Sequence, residues 1–213
     1  MYNFAMTNLL HSKTLIRDIA IGASTALLFS LFLYLEHLGI TLKLLNTLTA
    51  LIALYALLHM PKKAILSAGF FIGLLWFYWI GYSFEYTDAG YITPLITLGF
   101  AVIYMLFFGT LALTNEPYLR ALILFGLTFF EPMDFNWMQP ELLFVESYIG
   151  IFKWQFALVL GALALPRYIH NRFKFTPLLL TLFAFNTGYH HPLSPSLKVK
   201  LVETHVLQEQ KWL

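Results

Sequence analysis

Seven runs of apolar residues separated by short polar stretches set the pattern of this chain: Ile19–Leu35, Leu44–Leu58, Ala64–Phe84, Tyr91–Leu113, Leu119–Phe130, Ile149–Leu165 and Phe175–Tyr189. A bilayer core of about 30 Å takes about 20 helical residues, with a range near 17–25. By that measure the third and fourth runs span comfortably and the first and sixth are adequate. The fifth is short, and the second and seventh are marginal, open to tilting, extension into the interface or re-entry. The pattern changes at Leu197–Leu213, where Val199, Leu201 and Val206 alternate with Lys198, Lys200 and Glu203. That is the pattern expected of the opening strand of a soluble α/β domain. A strand without a sheet neither buries its apolar side nor satisfies its edge. The tail is therefore expected to lead into a soluble domain that these residues do not contain. Pro192 and Pro195, around Ser194 and Ser196, mark a short linker before it.

Composition removes the alternative of a water-soluble bundle. Hydrophobic residues make up 59% of the chain and charged residues 11%, where a soluble domain is about a quarter charged. With a mean hydropathy of +0.71, the chain cannot cover itself with polar surface, so its solvent is expected to be lipid. A net charge of +2 is too small to argue for nucleic acid. The absence of Cys excludes a disulfide framework, a thiolate nucleophile and a Cys-ligated metal within these 213 residues.

Charge orients the bundle. With the N-terminus in the cytoplasm and loops assigned alternately, Lys13, Arg17, Lys62, Lys63, Arg120, Arg167, Arg172 and Lys174 fall inside, and only Lys43 and Lys153 fall outside. The three remaining basic residues are in the tail. This asymmetry follows the positive-inside rule, and seven spans bring the tail out on the outer face. Lys13 and Arg17 precede the first run as in a signal peptide. No small-x-small cleavage site follows Phe29–Leu35, so the run is expected to stay as a signal anchor.

Few residues stand out chemically. Gly69 and Gly73 form a small-xxx-small pair, suited to close helix packing, with a groove for a lipid chain as the sharper alternative. Trp76, Tyr78, Trp79 and Tyr82 follow, with the acidic Glu85 and Asp88 beyond them. They read as an interfacial belt or as the vestibule of a lipid entrance. The longest outer loop, Glu131–Ser147, mixes acids with Phe135, Trp137, Met138 and Leu142, as an interfacial segment would. Glu131 ends a short span, where a carboxylate is either plainly interfacial or, if held in the bundle, functional. His190 and His191 have no third ligand spaced near them, so no metal site is expected. No catalytic triad, phosphate loop or paired-carboxylate arrangement is present, and no cofactor is implied.

Three stretches resemble the apolipoprotein N-acyltransferase family of bacterial lipoprotein maturation. GFFIGLLWFYWIGYSF, Gly69–Phe84, looks like the family's third span, with Trp79 at its recurrent Trp and Ser83 at the small polar residue after it. Glu131–Trp137 is similar to an outer loop that carries a Glu and ends in a Trp. KVKLVETHVLQEQKW resembles the entry into the family's nitrilase-like domain, matching at Gln208, Lys211 and Trp212. Glu203 stands where the family has Gln, Leu207 where it has Pro, and EPMDFNW lacks the family's loop Arg.

The resemblance implies an all-α, polytopic membrane helix bundle of about seven transmembrane helices, ending in a truncated first strand of a nitrilase-like α/β domain. It divides the chain into a cytoplasmic segment 1–18, a transmembrane domain 19–189, a linker 190–196 and the start of the nitrilase-like domain at 197–213. It places the protein in the bacterial inner membrane, where the loop charges put the N-terminus in the cytoplasm and the C-terminus in the periplasm. The implied reaction moves an acyl chain from a membrane phospholipid to a catalytic Cys thiolate, then to the α-amine of a diacylglyceryl-Cys lipoprotein substrate. That chemistry needs a thiolate, a carboxylate base and a Lys near the developing oxyanion, which the family carries in the nitrilase-like domain. No catalytic residue is therefore expected within this chain, and it is expected to be inactive alone. Trp76, Trp79, Glu131 and Trp137 are the candidates for lining the lipid site, and a separate nitrilase-like catalytic chain is a candidate partner. Two other readings stay open. A transporter or channel subunit would call for ionisable residues in mid-span and an internal repeat, whereas the charges here lie at span ends. An inert remnant of the acyltransferase gene is the third.

Overall fold

A computed structural model describes residues 2–84, 90–131, 134, 136 and 138–186. The tail at 197–213, the linker at 190–196, His190, His191, Glu85, Asp88 and Trp137 lie outside the described residues. Seven α-helices appear among the described residues: α1 Tyr2–His37, α2 Lys43–His59, α3 Lys62–Phe77, α4 Thr93–Gly109, α5 Pro117–Leu127, α6 Lys153–Ala164 and α7 Leu180–Phe183. No strand forms among those residues.

The turns follow from local chemistry. α1 ends where Gly39 takes φ +70, a left-handed conformation that costs glycine nothing. Ile40 N–H donates to the Leu35 carbonyl and Gly39 N–H to that of Glu36, closing a Schellman motif. α2 stops before Pro61, which disfavours helical backbone at Met60. Pro61 then sits at the N-cap of α3, and Pro117 opens α5 at its first helical position.

α3 is the axis of the larger half, with α1 on one side and α4 on the other. Missing side chains allow this. A Cβ on Gly22 of α1 would lie 2.5 Å from the Ala64 carbonyl oxygen and 2.6 Å from Ser67 Cβ. On the opposite face of α3, a Cβ on Gly69 would meet Phe108 Cβ and the Tyr104 carbonyl oxygen at 2.8 Å. One on Gly73 would meet the Phe100 carbonyl oxygen and Tyr104 Cβ at 2.7 Å. Backbones this close gain dispersion contacts and dense packing, the main source of helix association in lipid. Phe29 from α1 lies T-shaped against Phe108 of α4, their ring centroids 5.6 Å apart. The smaller half joins α5, α6 and α7 to α2, which in turn packs on α1.

The outer surface is apolar all round. Ile52 on α2, Leu106 on α4 and Leu122 on α5 are 53%, 63% and 62% exposed. Helices that are apolar on both the core face and the outward face suit a lipid solvent. Three helical stretches are long and apolar enough to cross a bilayer, Lys13–His37, Lys62–Gly81 and Gly90–Leu113. The last two include the 3₁₀ turns Tyr78–Phe84 in part, Gly90–Ile92 and Thr110–Leu113.

The sixth and seventh apolar runs form less helix than the sequence predicts. Residues 149–152 do not join α6. Instead Ile149 bridges antiparallel to Phe185, with Gly150 N–H donating to the Ala184 carbonyl and Asn186 N–H to that of Tyr148. Gln155 secures the junction: its Oε1 accepts from Phe152 N–H, and its Nε2 donates to the Phe185 carbonyl. In the seventh run Pro177 opens a 3₁₀ turn, Thr176–Leu179, and α7 adds only four residues before the chain turns into the bridge. α6 has 12 residues, about 18 Å at 1.5 Å per residue, well short of a bilayer core.

Candidate functional site

The aromatic end of α3 changes pitch. At Tyr78 the helix tightens to 3₁₀ geometry through Phe84, which leaves carbonyls of the last α-turn without their usual partners. Side chains supply them: Trp79 Nε1 donates to the Trp76 carbonyl at 2.8 Å, and Tyr34 of α1 donates its hydroxyl to the Leu75 carbonyl at 3.0 Å. Trp79 is 55% exposed. Trp76 lies one layer further in, against Phe29 at 5.6 Å, Phe32 at 5.7 Å and Tyr104 at 6.2 Å. Its indole Nε1 is buried and has no acceptor among the described residues. A buried N–H without a partner costs about 1–3 kcal/mol, so the position favours any entering group with an acceptor oxygen. Of the candidate lipid-lining residues, the structure brings Trp76 and Trp79 together. Glu131 is exposed beyond α5 and accepts from Asn136 Nδ2 at 3.1 Å.

At the end of α5 lies an ion pair that the sequence shows only as loop charges. Glu141 is 6% exposed in the 3₁₀ turn Pro140–Phe144. Lys153, at the start of α6, reaches it at 3.2 Å. The same ammonium donates to the Thr128 carbonyl at the end of α5 at 2.5 Å and sits 4.7 Å above the Phe129 ring. It thereby caps a helix C-terminus, where the dipole favours a cation. Glu141 Oε2 has no partner among the described residues. Asn46 Nδ2 donates to the Glu146 carbonyl at 3.2 Å and Thr47 Oγ1 accepts from Tyr148 N–H at 3.0 Å, so the first turn of α2 holds the loop down. Irregular backbone is tolerated beside lipid only when protein groups satisfy it in this way.

A second missed group lies at the opposite end. Arg120 of α5 is 2% exposed and donates to the Leu58, Met60 and Thr114 carbonyls at 3.0, 2.7 and 3.1 Å. In sequence it looks like one more inner-loop cation. The signal that was available is the Pro at the α5 start three residues earlier, which places Arg120 inside the first helical turn. An apolar groove of about 340 Å³ runs along α5 and α6 between Tyr118, Leu122, Phe125, Leu160, Gly161 and Leu165. None of these groups is a nucleophile of the kind acyl transfer needs. The arrangement can hold lipid, position helices and present aromatic side chains to the bilayer.

Comparison with known proteins assigns the family. The family model of the apolipoprotein N-acyltransferase integral membrane domain matches residues 16–187. The apolipoprotein N-acyltransferase of Wolinella succinogenes is 40% identical over 200 residues, covering 92% of this chain and 48% of that protein. Those of Helicobacter hepaticus and Helicobacter pylori are 34% and 33% identical, each covering 78% of this chain and 42% and 40% of their own lengths. This chain thus spans about half the length of the curated relatives it matches. No solved structure matches it. An all-helical, lipid-facing bundle that matches the family's membrane domain over residues 16–187 belongs to the apolipoprotein N-acyltransferase family.

Proposed function

We propose that residues 19–189 are the membrane half of an apolipoprotein N-acyltransferase, which holds a nitrilase-like catalytic domain at the outer face of the inner membrane. The match of residues 16–187 to the family's integral membrane domain carries this reading. Residues 190–196 serve as the linker and 197–213 as the opening of the catalytic domain, with the N-terminus cytoplasmic and the C-terminus periplasmic, as the Lys and Arg distribution supports.

Two lipid-bearing substrates, a phospholipid and a diacylglyceryl-Cys lipoprotein, enter sideways from the outer leaflet. Trp79 stands at the lipid-facing mouth, and the free Nε1 of Trp76 offers a donor to an ester carbonyl behind it. Glu131 and Trp137 border the same entrance from the outer loop, while Gly69 and Gly73 hold α3 against α4 so that the aromatic end is rigid. A thiolate attacks the donor's ester carbonyl, forming a thioester and releasing a lysophospholipid. The lipoprotein amine then attacks the thioester, forming the amide and releasing the thiolate. These 213 residues contain no Cys, so the thioester forms on residues outside this sequence, whether on a continuous chain or on a partner.

The test is acyl transfer from phosphatidylethanolamine to a diacylated lipopeptide by residues 1–213 alone. The expected result is no transfer, and measurable product would overturn the assignment of the chemistry to residues elsewhere. A reporter fused after Leu213 is expected to be active only outside the cytoplasm.

A further inference from the structure

At the end of the bundle opposite Trp79, α2 finishes beside the turns that follow α6. Tyr55, His59, Pro166, Arg167, Ile169 and Lys174 surround a pocket of about 290 Å³ there. The His59 ring stacks on Tyr55 with centroids 4.2 Å apart, and its Nδ1 bonds the Tyr55 carbonyl at 2.9 Å. A carbonyl only accepts, so Nδ1 carries the proton and Nε2 is left as an acceptor, or as a second donor when the ring is charged. Arg167 and Lys174 make no hydrogen bond or ion pair among the described residues. Arg167 acts electrostatically on both His59 and the buried Arg120. Arg120 itself is hydrogen-bonded only to carbonyls, so its charge has no carboxylate to neutralise it. Glu116, before α5, accepts the Tyr168 hydroxyl and does not line the pocket. The pocket lining thus carries Arg167 and Lys174 and no acidic side chain.

The surroundings say which anions meet this site. Tyr55, Tyr168, Phe173 and Phe175 are 50%, 46%, 68% and 69% exposed around it. Exposed aromatics at the ends of lipid-facing helices sit at head-group level. A basic pocket between helices at that level meets lipid phosphates before it meets solutes. Pro166 and Ile169 supply apolar contact of the kind a glycerol backbone takes, and Arg167 offers the planar fork that matches two phosphate oxygens.

We propose that this pocket is a binding site for the phosphate head group of an anionic phospholipid, on the leaflet opposite the acyl-transfer entrance. Bound there, the phosphate ties the end of α2 to the 165–174 turns and offsets the repulsion between Arg167 and Arg120. The site is independent of the proposed lipid entrance, so either stands if the other fails.

The experiment uses the 213-residue chain in phosphatidylcholine nanodiscs doped with spin-labelled phosphatidylglycerol or, separately, spin-labelled phosphatidylcholine. The immobilised fraction of each label is the readout. Phosphatidylglycerol is expected to be held preferentially. Arg167→Gln with Lys174→Gln is expected to weaken that preference about twenty-fivefold, taking each basic group as about fivefold. Lys174→Gln alone, at an exposed position, is expected to cost about fivefold. Lys62→Gln with Lys63→Gln, at the same end but outside the pocket, is expected to leave the preference intact. No preference in the wild type would overturn the proposal, and so would equal loss in the two double variants, which would indicate a diffuse field. Displacement of the label by excess inorganic phosphate, beyond that caused by chloride at equal ionic strength, would also overturn it, because the site would then read a free anion.

Discussion

Arg120 Nη1 donates to the Met60 carbonyl at 2.7 Å, and the same nitrogen reaches the Leu58 carbonyl at 3.0 Å. One guanidinium from the start of α5 thus closes the C-terminal end of α2, where carbonyls have no partner within the helix. Its Nε bonds the Thr114 carbonyl, so the link includes the turn before α5. In lipid there is no water to replace these bonds, and a cation at a helix C-terminus also meets the favourable end of the dipole.

Replacing this side chain is expected to be costly. Arg120→Met takes the donor from two buried carbonyls and a part-buried one and should lower stability by about 3 kcal/mol, given about 1.5–3 kcal/mol for a hydrogen bond to a charged group. Arg120→Lys keeps the charge but loses the fork, so it should recover less than half. Unfolding of the detergent-solubilised chain measures both. A loss below about 1 kcal/mol for Arg120→Met would mean that the carbonyls find other donors.

The glycines on α3, α4 and α5 allow a controlled comparison. Gly69→Ala and Gly73→Ala push a methyl to within 2.8 and 2.7 Å of α4 atoms, including backbone. Each should cost about 1–3 kcal/mol by forcing the helices apart. Gly99→Ala and Gly126→Ala, with nothing within 4 Å, should be neutral or mildly stabilising, because alanine restricts the unfolded chain and favours helix. Similar losses at all four positions would contradict a role for close packing at the α3–α4 contact.

Length and hydropathy made α3 and α4 legible in the sequence, since each carries an unbroken apolar run ending near a proline or glycine. The shortness of α5 was legible too. The sixth and seventh runs were not, because the bridge between Ile149 and Phe185 pairs residues far apart in sequence. Once Gly150 donates to Ala184 and Gln155 fastens Phe152 to Phe185, the apolar residues before Lys153 are committed to another partner. Burial of charge escaped for a related reason. Arg120, Lys153 and Glu141 occupy loop-like positions in the sequence, and only the fold reveals which carbonyls and carboxylates they meet. The Gly22 contact with Ala64 was missed although Gly22 and Ala26 form a small-xxx-small pair on α1, because the pair does not say which helix it meets.

The Glu141–Lys153 pair should show an asymmetry. Lys153→Met strands the carboxylate of Glu141, which is 6% exposed and whose Oε2 already has no partner among the described residues. Replacing both residues with Met removes that charge, so the double variant should be more stable than Lys153→Met alone. A double-mutant cycle should return a coupling of about 1–2 kcal/mol. A coupling near zero would leave Lys153 acting only as the cap on the Thr128 carbonyl.

Trp76 and Trp79 should report different surroundings although they are three residues apart. In variants that keep one indole and carry Phe at the other Trp positions, phospholipids brominated along the chain quench a ring they can touch. Trp79 is 55% exposed, so it should be quenched strongly. Trp76 is enclosed by Phe29, Phe32 and Tyr104, so mid-chain bromines should reach it little. Its emission should also be the bluer of the two, because its N–H has no acceptor whereas that of Trp79 bonds the Trp76 carbonyl. Equal quenching would show that lipid chains, and not only a carbonyl at their head, penetrate to the second aromatic layer. The entrance would then lie deeper between α1 and α3 than the packing of Phe29 against Trp76 allows.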